Sequence, residues 1–320
     1  MIRRFPALER LPRAALGRYP TPVVRFPGYD DLWIKRDDLG AEPLGGNKVR
    51  ALEFLLASSR PGDVVLTVGA RGSTHALSTA VHAARLGARA IVARWRQTMN
   101  DDARRTTARL REAARVIDVV TPVEAFAIAA LLRLHPRTRW VPAGGTSPIG
   151  MLGHVNAGLE LAEQVRAGLL PEPARIVLPL GTGGTAGGLA LGLAIAGLGT
   201  TVIGVRVVPR VVAGRRRVLA LAGRTARLIA AETGEKVAGP LPDRVRIDHD
   251  FYGGAYGRQT LAGTRAAEHF RSALDLPLDA TYSSKAFAAT LAARRPGPTL
   301  FWLTFDGRWV NRTTRETETP

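Results

Sequence analysis

Cysteine is absent from the 320 residues, which excludes disulfide bonds, thiolate metal sites and a cysteine nucleophile together. Aromatic residues are scarce at 6%, and the motifs of zinc fingers, basic zippers and RNA-binding modules are missing. No run approaches the roughly 18 apolar residues of a membrane span. Residues 1–14 contain basic side chains but no apolar core of a secretory signal. We therefore expect a cytoplasmic protein with no membrane partner.

Lysine is nearly as rare as cysteine, although the chain is strongly basic. Only four of the 45 basic residues are lysines, and the formal net charge is +18. The arginines are spread along the chain, which indicates a compositional bias more than a nucleic-acid surface. Nucleic-acid binding stays an alternative that the missing motifs disfavour, and the charge favours anionic small molecules. The six histidines have no metal-ligand spacing, so we expect no metal.

Apolar runs alternate with helical patterns along the chain, which is typical of parallel sheets flanked by helices. Strands are predicted at 31–35, 64–68, 90–93, 116–120, 140–142, 175–180, 201–208 and 299–304. We predict an α/β fold with two open, twisted, mostly parallel sheets. Residues 51–143 would form a small α/β domain, and residues 1–50 with 144–320 a larger one. Ligands of such folds bind at the carboxyl ends of strands.

One lysine occupies an unusual setting at the predicted start of a helix. Lys48 lies in the segment LGGNKVRALE, behind two glycines and an asparagine. Unlike arginine, a desolvated lysine can lose its proton and become a nucleophilic amine. The alternative, a surface cation, is opposed by the positive end of the helix dipole. Two neighbouring carboxylates, Asp37 and Asp38, point apart at a strand end and are interpreted as structural.

A glycine-rich turn follows the predicted strand at 175–180 and opens a helix, with the sequence LPLGTGGTAGG at 178–188. Backbone N–H groups can converge there on an anion such as phosphate, and a tight strand-to-helix connection is the alternative. The next strand ends without the carboxylate that a dinucleotide needs. A single phosphate ester is therefore favoured. Together with a nucleophilic lysine, this site indicates pyridoxal phosphate.

Eight segments in chain order resemble fold-type II pyridoxal-phosphate enzymes of the tryptophan synthase β-like fold. The branch they resemble contains 1-aminocyclopropane-1-carboxylate deaminase and D-cysteine desulfhydrase. The segments are YPTPV from Tyr19, IKRDDLG from Ile34, GGNKVRALE from Gly45, GSTH from Gly72, PAGGTSPIGMLGHVNAGLEL from Pro142, LGTGGTAGG from Leu180, GGAYGRQT from Gly253 and DATYSSKA from Asp279. The resemblance implies a homodimer whose larger domain binds the cofactor.

The same resemblance implies how the cofactor is held. Lys48 would bind the cofactor covalently and act as the base, and Asn47 would help to place it. The phosphate would lie in a cradle of Gly181, Thr182, Gly183, Gly184 and Thr185. Thr74 would also contact the cofactor, where the branch usually has Asn.

The resemblance also implies residues around the substrate and the cofactor ring. Ser73, Thr74 and His75 would bind the substrate carboxylate. Tyr282 would lie against the pyridine ring and Tyr256 would point at the substrate. For these side chains an N-cap role, a packed histidine and core tyrosines are the structural alternatives.

Ser283 guides the choice of reaction, since this position contacts the pyridine nitrogen in the family. A hydroxyl there leaves the nitrogen neutral, which favours loss of a good leaving group from the β-carbon over cyclopropane opening. We predict α,β-elimination from a small amino acid, with D-cysteine as the preferred substrate. Gly72 replaces a glutamine that is usual in the family, and Ala51 occupies a position where a basic residue commonly assists the phosphate. Thr74 and residues 304–307 also depart from the family pattern. A sister deaminase, or a cofactor-binding protein with altered or lost activity, stays open.

Overall fold

A computed structural model describes residues 5–293 and 296–311 of the chain. Residues 1–4, 294–295 and 312–320, which the predicted larger domain includes, lie outside the described part. All strand pairs within the two sheets are parallel except the pair formed by the first two strands. The prediction of an α/β fold with two open, mostly parallel sheets is therefore confirmed.

The described strands divide between the two sheets by chain segment. They are β1 (Val23–Arg25), β2 (Leu32–Arg36), β3 (Val64–Ala70), β4 (Arg89–Trp95), β5 (Ala114–Asp118), β6 (Thr138–Trp140), β7 (Arg175–Leu180), β8 (Thr201–Arg206), β9 (Val245–Asp248) and β10 (Thr299–Leu303). The larger sheet has the order β1-β2-β10-β7-β8-β9, and the smaller one β5-β4-β3-β6. The smaller sheet thus comes from 51–143, while the domain boundaries themselves stay a prediction.

Helices cover both sheets. They are α1 (Asn47–Leu55), α2 (Thr74–Arg85), α3 (Asp101–Ala113), α4 (Pro122–Leu132), α5 (Pro148–Arg166), α6 (Gly184–Ala196), α7 (Arg215–Thr233), α8 (Leu261–Leu274), α9 (Ser283–Ala292) and α10 (Gly307–Asn311). Within the described part of the chain, no helix combines the length and the apolar composition that crossing a bilayer requires.

The strand β10 shows why its sequence TLFWL is a continuous apolar run. Leu300 and Trp302 enter the core beneath α5, α6 and α7, whereas Phe301 and Leu303 enter the core beneath α8 and α9. Successive side chains of a strand point to opposite faces. Because helices cover both faces of this sheet, every position of β10 is buried.

Two predicted strands lie two residues too late in the chain. The apolar residues at 116–120 predicted a strand there, but β5 pairs with β4 so that Asp118 lies opposite Arg94. The Arg94 Nε donates to Asp118 Oδ1 at 2.9 Å, and the strand ends at this ion pair. The strand predicted at 140–142 likewise begins earlier, because β6 aligns with the start of β3. In both cases pairing, not hydropathy, determines the boundary.

A buried network of ion pairs holds α1 against β2 and α5. The Arg50 guanidinium donates to Asp37 at 2.8 Å and to Glu160 at 2.9 Å. Lys35 donates to Glu160 at 2.5 Å. Burial opposes ionisation of both carboxyls, yet the charge of Arg50 holds the pKa of Asp37 and the pKa of Glu160 below their ordinary values. Two cations and two anions are thus paired beneath the helix that carries Lys48.

Asp37 and Asp38 belong to different ion pairs, as their interpretation as structural residues predicts. Asp37 also accepts a hydrogen bond from Trp302 Nε1 at 2.7 Å. Asp38 instead accepts from Arg36 at 2.8 Å and from Arg308 at 3.0 Å. Neither carboxylate lines the cavity described below.

Candidate active site

Two glycines bring the start of α1 against the carboxyl end of β10. Gly46 has a φ of +130°, and a Cβ at this residue would lie 2.6 Å from Thr304 O. A Cβ at Gly45 would lie 2.1 Å from Asp38 O. Side chains are therefore excluded at both positions, and φ at Gly46 favours glycine in any case. This close approach places Lys48, the second residue of α1, at the edge where the strands end.

The amine of Lys48 lines a cavity and has no carboxylate partner among the described residues. Its Nζ lies 3.4 Å from Gly144 O, a long contact. Burial lowers the pKa of Lys48 from 10.5 to about 8. About one amine in ten is then neutral at pH 7, against roughly one in 3,000 for an ordinary lysine. Lys48 is therefore a nucleophile and a base near neutral pH.

The glycine-rich turn after β7 opens α6 toward the same cavity. Gly183 is the N-cap residue, with a φ of +92°, and no side chain caps the helix. The first N–H groups of α6 consequently have no partner within the helix. Residues 181–186 line the cavity, and a Cβ at Gly181 would meet no atom within 4 Å. Unpaired N–H groups that border open space at a helix N-terminus can bind a phosphate group.

Side chains from other segments hold the two threonines of this turn. Asn47 Nδ2 donates to Thr185 Oγ1 at 2.8 Å, and His154 Nε2 lies 3.4 Å from the same oxygen. The hydroxyls of Thr182 and Thr146 lie 2.5 Å apart. Asn47 thus orients Thr185, and both residues line the cavity.

A single residue separates the lysine amine from the turn. A Cβ at Gly144 would lie 2.2 Å from Thr182 Oγ1, and Gly144 has a φ of +69°. The carbonyl of Gly144 is the group that contacts Lys48 Nζ. Glycine is thus required where the chain passes between the Lys48 amine and the glycine-rich turn. A ligand that is bound covalently to the amine and has a phosphate ester at the turn needs both groups in one cavity, and both line this one.

The N-terminus of α2 forms another part of the cavity wall. Ser73 is its N-cap residue, and Ser73 Oγ accepts a hydrogen bond from Ala76 N at 3.2 Å. The N–H groups of Thr74 and His75 lie before the first intrahelical hydrogen bond. All three residues from 73 to 75 line the cavity. Ser73 is therefore both a helix cap and a residue of the site, and the helix end suits a carboxylate.

His75 is neutral in this setting. Burial, followed by the charge of the nearby Lys48, lowers the pKa of His75 to about 3. Its Nε2 lies 3.2 Å from Thr67 Oγ1. A neutral imidazole contributes polar contacts to the site but no charge at physiological pH.

Tyr256 and Tyr282 form a pair on the cavity wall. Their hydroxyls are hydrogen-bonded to each other, and their ring centroids lie 5.9 Å apart at 73°. Burial raises the pKa of Tyr256 to about 12 and raises the pKa of Tyr282 well above its ordinary value. Both hydroxyls therefore keep their protons and can donate them in hydrogen bonds.

Ser283 is the predicted site residue that the cavity wall does not include. All the others line one cavity of about 740 Å³ between the carboxyl ends of β3 and β7. Ser283 is the first residue of α9, its side chain is buried, and its N–H donates to Asp279 Oδ2 at 3.1 Å. Its contact with a ring nitrogen stays a prediction.

Comparison with known proteins identifies the family of the chain. The family model described as "Pyridoxal-phosphate dependent enzyme" matches residues 14–299. The chain belongs to this family. Pyridoxal 5'-phosphate is therefore its cofactor, as the lysine and the glycine-rich turn predict.

Relatives of this pyridoxal-phosphate dependent enzyme catalyse different reactions. Nocardicin C-9' epimerase of Nocardia uniformis subsp. tsuyamanensis is 37% identical over 92% of each chain. D-cysteine desulfhydrase of Salmonella paratyphi A is 30% identical over 89% of each chain. A crystal structure of a 1-aminocyclopropane-1-carboxylate deaminase homologue superposes with a TM-score of 0.78 at 28% identity, covering 94% of each chain. These matches confirm the predicted branch and leave the reaction of this enzyme undecided.

The residues of the cavity fit the cofactor. The neutral amine of Lys48 suits the aldehyde, and the open space at Gly181 suits the phosphate ester. Tyr256 and Tyr282 lie on the wall of the same cavity and offer aromatic rings to a planar ligand. The pyridoxal-phosphate dependent enzyme thus has each kind of group that its cofactor requires.

The structure also reveals site residues that sequence reasoning missed. A Cβ at Gly72 would lie 2.5 Å from Ala103 Cβ, so the glutamine usual in this branch does not fit there. Gln97 Oε1 instead accepts a hydrogen bond from Gly72 N at 3.1 Å, and Gln97 lines the cavity. The glutamine side chain beside Gly72 is thus that of Gln97, in the loop after β4. A comparison of motifs position by position cannot find a side chain that comes from another segment of the chain.

The pKa of Lys48 leads to a testable pH dependence. Burial lowers the pKa of Lys48 from 10.5 to about 8 in the folded protein. The neutral fraction of the amine therefore rises steeply with pH up to about pH 8. We expect the rate of covalent cofactor binding to the cofactor-free protein to rise about fivefold from pH 7 to pH 8 and then to level off. Stopped-flow absorbance from pH 7 to pH 10 measures this rate. A midpoint near pH 10 would contradict the assignment.

Proposed function

We propose that this enzyme removes the Cα proton of an amino acid and expels its β-substituent, with D-cysteine as the first candidate substrate. The observation that carries the proposal is Lys48, an amine with a pKa of about 8 that faces a cavity lined by two helix N-termini. When bound, the cofactor supplies the electron sink that makes Cα–H acidic. An amine that is partly neutral at pH 7 can accept this proton.

Each wall of the cavity has a separate task in this reaction. The N–H groups at the start of α2, beside Ser73, hold the substrate carboxylate. Breaking Cα–H transfers the proton to Lys48 Nζ, and breaking the bond from Cβ to sulfur releases the thiolate. Of the hydrogen-bonded hydroxyls of Tyr256 and Tyr282, the one whose proton is not used between them donates a hydrogen bond to this leaving group. The unsaturated amino acid that remains is then hydrolysed by one water to a 2-oxo acid and ammonia. The products from cysteine are therefore a 2-oxo acid, ammonia and sulfide.

Epimerisation at Cα is the second candidate. It needs the same first step, followed by return of a proton to the other face, and a relative at 37% identity is an epimerase. The exposed part of the cavity wall carries an apolar patch: Trp95 and Phe126 stack with centroids 6.3 Å apart, and Val120 and Val211 are exposed. A substrate with a longer apolar side chain would cover this surface, whereas cysteine would not. This observation favours an epimerase of a larger amino acid.

One experiment separates these functions. The holoenzyme is incubated in deuterated buffer with D- and L-cysteine, D-serine, the cyclopropane amino acid, and both enantiomers of amino acids with long apolar side chains. Elimination releases ammonia and a 2-oxo acid, and sulfide from cysteine. Epimerisation exchanges the α-proton and forms the other enantiomer without ammonia. Ring opening indicates a sister deaminase. If no amino acid exchanges its proton or releases ammonia, the proposal of catalysis is wrong.

The homodimer and the cytoplasmic location that we infer stay predictions. Light scattering of the purified holoenzyme tests the first, and cell fractionation tests the second.

A further inference from the structure

The phosphate site receives no cation from α1 other than Lys48. The branch commonly has a basic residue at position 51, but this chain has Ala51. The side chain of Ala51 is buried, and its Cβ lies 3.4 Å from the position that a Cβ at Gly145 would take. A phosphate ester carries a charge of about −1.5 to −2 near pH 7. Besides Lys48, the cations on the cavity wall are Arg96 and Arg217. One of these two arginines is next to the glycine-rich turn.

The first turn of α7 packs directly on that turn. Val218 Cγ2 lies 3.0 Å from the position of a Cβ at Gly183, and Val218 O lies 3.1 Å from that of a Cβ at Gly187. Arg217 immediately precedes Val218 and lines the cavity. Arg96, in contrast, follows β4 of the smaller sheet. The packing therefore places Arg217, not Arg96, beside the start of α6.

The guanidinium of Arg217 is available to an anion. Among the described residues no carboxylate pairs with it, its side chain is exposed, and the residue lines the cavity. The nearby Arg215 is already engaged, since it donates to Val245 O at 3.0 Å and to Pro242 O at 2.6 Å. Arginine matches the oxygens of a phosphate with two parallel hydrogen bonds. We propose that Arg217 binds the cofactor phosphate and supplies the cation that position 51 lacks.

The test compares pyridoxal 5'-phosphate with pyridoxal, which has the same aldehyde and ring but no phosphate. The full chain is freed of cofactor with hydroxylamine, and both compounds are titrated by absorbance and by quenching of tryptophan fluorescence. We expect Arg217→Gln to weaken binding of the phosphate ester roughly tenfold. Binding of pyridoxal should change less than about twofold. Arg217→Lys should keep part of the affinity, because it keeps the charge but not the two-pronged geometry.

Arg216→Gln is the matched control, because Arg216 is the exposed neighbour on α7 that does not line the cavity. It should bind both compounds as the wild type does. Equal affinity of Arg217→Gln and wild type for the phosphate ester would overturn the proposal. Equal weakening of both compounds would overturn it as well, because the effect would then not act on the phosphate.

Discussion

Replacing Lys48 with alanine should abolish the covalently bound form of the cofactor and lower turnover by at least about a thousandfold. The substitution removes the nucleophile that binds the aldehyde and the base that accepts the Cα proton. A positioned base alone contributes about 10²–10⁴ in rate. The phosphate site at residues 181–185 does not depend on this amine, so the variant should still bind the cofactor without a covalent link, and more weakly. Absorbance after borohydride reduction and gel filtration distinguishes the two modes of binding.

Lys285 offers a close control for this experiment. Burial lowers its pKa to about 8 as well, and its Nζ donates to Tyr252 O at 2.8 Å. It does not line the cavity. Lys285→Met should therefore keep the covalent cofactor, whereas a small amine such as ethylamine should restore part of the turnover to Lys48→Ala only. Covalent cofactor in Lys48→Ala, combined with its loss in Lys285→Met, would show that the wrong lysine was assigned.

Replacing Glu160 with glutamine should cost about 3–5 kcal/mol of the free energy of unfolding. The change keeps the size of the side chain but removes one of the two anions that neutralise Arg50 and Lys35. Both cations are fully buried, so water cannot hydrate them in place of the lost carboxylate. Asp37 is the remaining anion of the network. Urea denaturation followed by circular dichroism measures the loss, and the stability of wild type and variant should be compared without cofactor, because cofactor binding adds its own stabilisation.

Glu163→Gln on the same helix is the control. Glu163 is exposed, and its replacement should change the stability by no more than about 0.5 kcal/mol. In the wild type the pKa of Asp37 and the pKa of Glu160 are below their ordinary values of 3.8 and 4.5. Their contribution is therefore complete above about pH 4.5 and is lost as the pH falls through the lowered pKa values. A Glu160→Gln variant as stable as the control would show that the network is not needed for folding.

Many of the residues that line the cavity could be predicted because their positions depend on local chemistry. The glycines before Lys48 and those at 181–184 act on backbone within a few residues, and the strands that lead to them are continuous apolar runs. The residues at which strands end could not be predicted from the sequence, because strand pairing determines them. The strand β5, which begins two residues before its predicted position, illustrates this. The reason is that hydropathy reports burial of a side chain, whereas a strand boundary depends on the hydrogen-bonding partner.

The identity of the cofactor could therefore be predicted from the order of the residues, since one lysine behind two glycines and one glycine-rich turn indicate it. Other features arise only when distant segments meet. Gln97 accepts a hydrogen bond from Gly72, 25 positions earlier, and Arg217 lines the cavity from a helix far along the chain. The ion pairs beneath α1 join residues more than 100 positions apart. Burial creates the lowered pKa of Lys48, and the folded chain alone decides which groups are buried.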